Sequence, residues 1–141
     1  MMAKVFSFFL LLFSSVNLLA AELGLLNPEN LESMQKQQQA LVVDIRTAKE
    51  WQATGIIPQS QPVEFFDEQG HYDLEKWLAH IKQLQKSPEQ PLILVCRSGN
   101  RSGKLGNMLT KQLDMKNVYH LSSGMMSWIK ADKAIEKYSN P

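Results

Sequence analysis

Three short apolar runs punctuate the chain: Leu41-Val42-Val43-Asp44-Ile45, Leu92-Ile93-Leu94-Val95 and Val118-Tyr119-His120-Leu121. The first two are continuous rather than alternating, the mark of strands covered on both faces. Stretches with helical spacing separate them. Leu74, Trp77, Leu78, Ile81 and Leu84 line one face of a long amphipathic helix that Ser87-Pro88 ends. Leu105, Met108, Leu109 and Leu113 mark another helix, and Trp128, Ile129 and Ile135 a last one. Asn27-Pro28 puts a capping residue before a proline at the first helical position, starting a helix to about Gln39. Thr47-Ala48-Lys49-Glu50 is a capping box that opens a short helix through Trp51. Leu23 to Leu26 predicts a brief edge strand, Gly55 to Pro62 a loop, and Val63 to Phe66 a further strand. Strand and helix alternate with no internal repeat or interdomain linker. The expected class is α/β: one domain, with a mostly parallel sheet between helices on both faces.

The segment ahead of these elements belongs to a different kind of sequence. Met1 to Lys4 is a short positive start, and Val5 to Ala21 is uncharged and contains Phe8-Phe9-Leu10-Leu11-Leu12-Phe13. Ala20 and Ala21 supply small residues for cleavage before Glu22. This pattern predicts a secretory signal peptide over residues 1–21 and a periplasmic or secreted domain over residues 22–141. A membrane anchor fits less well. The span falls short of the roughly 20 residues a crossing helix needs, and Ser7, Ser14, Ser15 and Asn17 dilute it. No cysteine follows the apolar run, which excludes a bacterial lipoprotein anchor. No stable membrane insertion is expected after cleavage.

Composition narrows the function classes. The 141 residues carry 15 Lys+Arg against 14 Asp+Glu, too balanced for a nucleic-acid footprint or a polybasic membrane patch. One cysteine rules out an intramolecular disulfide and a four-cysteine zinc site. His71, His80 and His120 show no metal-ligand spacing, so no metal and no cofactor is expected. His71 reads as a solvated turn residue, His80 and His120 as structural. Arginine is the unusual count: three, at 46, 97 and 101, against twelve lysines, and two of the three lie within five residues of the cysteine.

That cysteine is the candidate nucleophile. Cys96 directly follows the strand Leu92–Val95, where α/β sheets collect their chemistry. The segment Cys96-Arg97-Ser98-Gly99-Asn100-Arg101-Ser102 then leads into a helix. Small and turn-prone residues let successive N–H groups point inward as an anion nest, and the helix adds its positive end. With Arg97 and Arg101 close by, these groups favour thiolate over thiol below the free value of ~8.5. A cysteine so held is a nucleophile able to carry a covalent intermediate. Leu92 to Cys96 taken alone would suit a core cysteine closing an apolar strand. A core cysteine, however, has no use for a glycine and two arginines in the next five positions.

Asp44-Ile45-Arg46, Glu50-Trp51, Gly55, the loop Cys96 to Ser102, Val118-Tyr119-His120-Leu121, Gly124 and Trp128 together resemble the rhodanese (sulfurtransferase) domain in order and spacing. The resemblance covers nearly all of the chain after the leader. It implies a rhodanese-like fold, a five-stranded mostly parallel sheet with helices on both faces. It also implies that Cys96 accepts a sulfane sulfur as a persulfide. The implied donor is a small anion such as thiosulfate, and the implied acceptor cyanide or a thiol, protein thiols included. The loop residues Arg97, Ser98, Gly99, Asn100, Arg101 and Ser102 are the expected substrate contacts. Asp44 and Arg46 are expected one step behind them, orienting loop backbone, and Glu50 is explained as a capping residue. Two departures stand out: Gly55-Ile56-Ile57-Pro58-Gln59-Ser60 where the family usually reads Gly-His-Ile-Pro-Gly-Ala, and Ser123-Gly124 where it often has Gly-Gly.

Loop length separates the nearest rival. Related cysteine phosphatases place five residues between cysteine and arginine, whereas Arg101 follows Cys96 after four, and the longer register lands on Ser102. The shorter loop suits a single outer sulfur better than a tetrahedral phosphoryl group. The alternative to an enzyme is a non-catalytic rhodanese-like binding or redox-sensing module in the periplasm, where a lone thiol is open to oxidation.

Overall fold

The computed structural model describes residues 19–140. The signal-peptide expectation falls almost entirely outside them. Within them, no helix is long and apolar enough to cross a membrane. The strands are β1 (Gly24–Leu26), β2 (Leu41–Asp44), β3 (Gln61–Pro62), β4 (Leu92–Val95) and β5 (Val118–Leu121). The helices are α1 (Pro28–Gln37), α2 (Ala48–Thr54), α3 (Leu74–Leu84), α4 (Asn100–Asn107) and α5 (Gly124–Lys130). The strands form one sheet in the order β1-β5-β4-β2-β3, and each neighbouring pair is parallel.

That order creates the site. β2 leads outward to β3 on one side, while β4 leads to β5 on the other. Yet β2 and β4 are neighbours, in register from Leu41 opposite Leu92 to Asp44 opposite Val95. Connections that diverge from adjacent parallel strands leave a crevice beyond their carboxyl ends. Cys96 and the segment after Asp44 both open into it.

The two-residue period of the strands divides the core. Leu92, Leu94 and Cys96 of the β4 segment, with Val43, Ile45 and Val118, pack against Trp77 and Ile81 of α3, Leu105 of α4 and Leu109 just beyond it. Ile93, Val95, Val42 and Leu121 face the other way, onto Leu31 of α1 and Met125 and Trp128 of α5. Parallel strands sandwiched in this manner must be apolar on both faces, which explains the continuous runs.

Several element boundaries differ from the sequence expectation. Val63 to Phe66 is not a strand; the ladder covers Gln61–Pro62 alone. Phe65 and Phe66 are both buried and meet edge to face at 4.7 Å, so successive side chains enter one cluster. An extended strand, which sends neighbours to opposite faces, cannot do that. α2 runs past Trp51 to Thr54 and stops at Gly55, whose φ of 75° breaks the helix. α1 ends at Gln37, before Gln39 with its φ of 51°. The helix after Cys96 leaves α geometry at Met108 for a π-helical turn over Met108–Gln112, so Leu113 lies beyond it and is largely exposed. α5 ends at Lys130, and Ile135 belongs to a tail in which Glu136 bridges antiparallel to Ile56.

Candidate active site

The Cys96 loop is held from both sides by backbone. Met125 N–H donates to the Cys96 carbonyl at 2.8 Å and Met126 N–H to the Arg97 carbonyl at 3.0 Å, tying the start of α5 to the loop. Gly124 makes this approach possible: at φ 63°, a Cβ there would strike the carbonyls of Arg97 and Cys96. Gly99, at φ 97°, caps α4, and a Cβ on it would meet the Ser122 carbonyl. Only glycine tolerates both demands at once.

The loop closes around sulfur. Gly99 N–H donates to Cys96 Sγ at 3.1 Å and Ser102 N–H at 3.3 Å. Ser102 Oγ lies 3.3 Å from the same atom. Cys96 is only 1% exposed and touches the apolar cluster of the α3/α4 face, yet its sulfur has polar partners on the loop side. Amide dipoles aimed at one atom at the start of a helix stabilise negative charge there. Arg97, Ser98 and Asn100 are exposed at the mouth, Gly99 and Ser102 are buried, and Arg101 is intermediate.

Arg101 reaches across from the loop to α2. Its Nη1 and Nη2 donate to the two carboxylate oxygens of Glu50 at 2.8 and 2.6 Å, a bidentate pair joining α4 to α2. The same Glu50 carboxylate accepts from the Thr47 amide and hydroxyl, so the capping box and the ion pair to α4 share one residue. Burial alone would raise the Glu50 carboxyl. The Arg101 fork and the two Thr47 donors outweigh it and bring the group down to about 2. The partner responds in kind, since Glu50 raises Arg101 above its ordinary value.

Behind Glu50 stands a second, fully buried pair. Arg46 Nε donates to Asp44 Oδ1 at 2.9 Å and Nη2 to Oδ2 at 2.8 Å, with both residues 1% exposed. The fork continues to Thr54 Oγ1 at 2.8 Å and the Gly55 carbonyl at 2.9 Å, while Trp51 Nε1 donates to Asp44 Oδ1 at 3.1 Å. These contacts clamp the carboxyl end of α2 to β2. Asp44 and Arg46 therefore orient the helix that carries Glu50, and Asp44 also acts on Arg101 at coulombic range.

A cavity of about 430 Å³ lies beside the mouth, lined by Thr47, Phe66, Glu68, Asn100, Arg101 and Lys104. Lys104 Nζ sits 5.3 Å from the Phe66 ring centroid on this side. A larger cavity of about 920 Å³, lined by Leu78, Leu113 and Met115 among others, opens at the opposite, amino ends of the strands.

The order of these pieces, from Asn27 to Ala131, follows a known pattern. The model of the Rhodanese-like domain family matches residues 27–131. The chain belongs to this family. Among curated proteins, an uncharacterised protein of Synechocystis is 25% identical over 115 residues, covering 80% of this chain. The match spans only 56% of that relative's own length. The fold recurs among solved structures. A thiosulfate sulfurtransferase from Pseudomonas aeruginosa superposes with TM-score 0.67 at 19% identity, over 84% of this rhodanese-like chain and 21% of its own. A homodimeric polysulfide-sulfur transferase from Wolinella succinogenes gives TM-score 0.60 at 18% identity, over 84% of this chain and 81% of its own.

The rhodanese-like loop brings Cys96, Gly99, Arg101 and Ser102 together, with Ser102 fully buried against the sulfur rather than at the mouth. Two participants escaped the sequence reading. Glu50 has a capping role that is complete on its face, so its second partner stays hidden until α2 and α4 are juxtaposed. His120, read as structural, has Nδ1 2.9 Å from Ser102 Oγ. A signal did exist: His120 is two residues after Val118 on β5, and so shares the face on which Cys96 lies.

Proposed function

We propose that this rhodanese-like domain is a sulfurtransferase in which Cys96 carries the sulfur. The observation that carries the reading is the set of polar groups gathered on Sγ: the Gly99 and Ser102 amides donate to it, and Ser102 Oγ lies 3.3 Å away. The Cys96 thiolate attacks the outer sulfur of a small anionic donor such as thiosulfate. The donor's S–S bond breaks, sulfite leaves with the bonding pair, and Cys96 becomes a persulfide. Cyanide or a thiolate then takes the outer sulfur, giving thiocyanate or a new persulfide and returning Cys96 to thiolate. Arg97 and Ser98, exposed at the mouth, meet the anionic donor, and Arg101 keeps the loop anchored through Glu50.

The tight loop and the 1% exposure of Cys96 favour a single sulfur atom at the nucleophile over a phosphoryl group with its three outer oxygens. The apolar leader supports export, so the acting form begins near Glu22 and works outside the cytoplasm.

The test is to expose the purified domain to thiosulfate, remove the donor, and discharge bound sulfur with cyanide. Wild type yields thiocyanate in proportion to protein; Cys96→Ser yields none. Equal discharge from the serine variant removes Cys96 from the reaction.

A further inference from the structure

The buried hydroxyl of Ser102 has one proton and three neighbours that compete for it. Cys96 Sγ is 3.3 Å away, the Gly99 carbonyl 3.3 Å, and His120 Nδ1 2.9 Å. His120 projects from β5 opposite Leu94, the residue two before Cys96 on the neighbouring strand. The close fit of Gly103, where a Cβ would come within 3.3 Å of His120 Cε1, lets the first turn of α4 lie against the imidazole.

We infer that His120 is a positioning residue for Cys96, acting through the Ser102 hydroxyl. The argument is proton counting. In the thiol form, Cys96 donates to Ser102 Oγ, and Oγ–H is free to donate to Nδ1. In the thiolate form, sulfur can only accept, so the hydroxyl proton must turn toward it. Nδ1 then faces an oxygen whose proton is used elsewhere, and that contact is favourable only if Nδ1 itself carries a proton. On ionisation the S–H bond breaks, Oγ passes its own proton to Nδ1 as it takes the one from sulfur, and Nδ1–H donates back to Oγ. Sulfur keeps its electron pair, and nothing is oxidised or reduced. Burial lowers the imidazole below its ordinary value. The neutral ring with Nδ1–H therefore serves, the Nε2 proton going to solvent. With Nδ1–H absent, the hydroxyl is free to turn to the Gly99 carbonyl, and the thiolate loses a donor.

Few other charges act here. Arg101 on α4 reaches the sulfur at coulombic range, with Glu50 of α2 bonded to it. Lys104 on α4 is engaged over Phe66. β1 has no charged side chain, and α5 carries its charge, Lys130, in its last turn.

This inference rests on the sulfur-transfer reading for its purpose, but its readout does not. Iodoacetamide alkylation of Cys96 is followed across pH in wild type, His120→Phe, His120→Asn, Ser102→Ala and the Ser102→Ala/His120→Phe double variant. His120→Phe slows alkylation at neutral pH about tenfold, the worth of one hydrogen bond to a charged acceptor, and displaces the pH profile toward alkali. Asparagine, which returns an N–H near the Nδ1 position, restores the rate. The double variant is no slower than Ser102→Ala, because both changes remove the same contact. A wild-type rate in His120→Phe, or effects that multiply in the double variant, overturns the relay. Should the phenylalanine variant fail to fold, nitrogen NMR of the wild-type imidazole decides: Nδ1 protonated when Cys96 is ionised supports the relay, Nδ1 bare overturns it. Loss of sulfur loading in wild type with the alkylation pattern intact removes the sulfur-transfer reading alone; loading intact with a flat pattern removes the relay alone.

Discussion

Glu50→Gln tests the electrostatic frame of the site directly. The substitution keeps the shape and one acceptor oxygen but removes the charge that both Arg101 nitrogens share. The carboxyl lies at about 2 in the folded protein against an ordinary 4.5. That displacement corresponds to a ceiling of about 3.5 kcal/mol, at ~1.4 kcal/mol per pH unit. The Glu50 side chain is 26% exposed and Arg101 30%, so solvent screens part of it. We expect a loss of about 1.5–2 kcal/mol at neutral pH, within the range for a hydrogen bond to a charged group. For a domain of this length that lowers the melting temperature by about 6–8 °C. The sign of the pH dependence follows. A carboxyl depressed on folding stabilises fully above 4.5, and the contribution is lost as pH falls toward about 2. Urea titrations of wild type and variant therefore differ most at neutral pH and converge near pH 2. Equal stabilities at neutral pH, or a difference that persists undiminished in acid, would refute the assignment of that energy to the ion pair.

Other substitutions probe the frame at different depths. Arg46→Lys removes the buried fork from Asp44, Thr54 and Gly55 and should cost about 3–5 kcal/mol in chemical denaturation, because lysine cannot satisfy those acceptors together; a change below about 1 kcal/mol sinks that account. Gly124→Ala places a Cβ against the Arg97 and Cys96 carbonyls at φ 63°. It should slow thiosulfate-dependent sulfur loading strongly while far-UV circular dichroism keeps the sheet and helix signal, with about 1–3 kcal/mol of strain in the backbone alone. Unchanged loading would show that the loop tolerates displacement there.

What was legible along the chain follows from local chemistry. The strands β2 and β4 announce themselves because a sheet covered on both faces needs unbroken apolar runs, and α3 because its burial repeats at helical spacing. The cysteine loop is legible for the same kind of reason: Cys96, Gly99, Arg101 and Ser102 lie within seven residues, so composition and order already describe the turn. Val63 to Phe66 misled because aromatic β-formers look alike whether they alternate or crowd into one cluster, and only the packing of Phe65 on Phe66, Tyr72 and Trp77 decides. Ile135 misled because helical spacing cannot register the turn at Asp132, where φ is 53°.

By itself, then, the chain determined its α/β class, its central strands and the cysteine loop at a strand's end, all properties of contiguous residues and their periods. Tertiary structure alone decided the partners. Glu50 and Arg101 are 51 residues apart, and Ser102 and His120 are 18 apart. The first pair meets because β2 and β4 are neighbours, the second because β5 lies against β4 with His120 opposite Leu94. Strand order and register arise from the free energy of the whole sheet, and no local pattern encodes which distant side chain a buried hydroxyl or carboxylate will find.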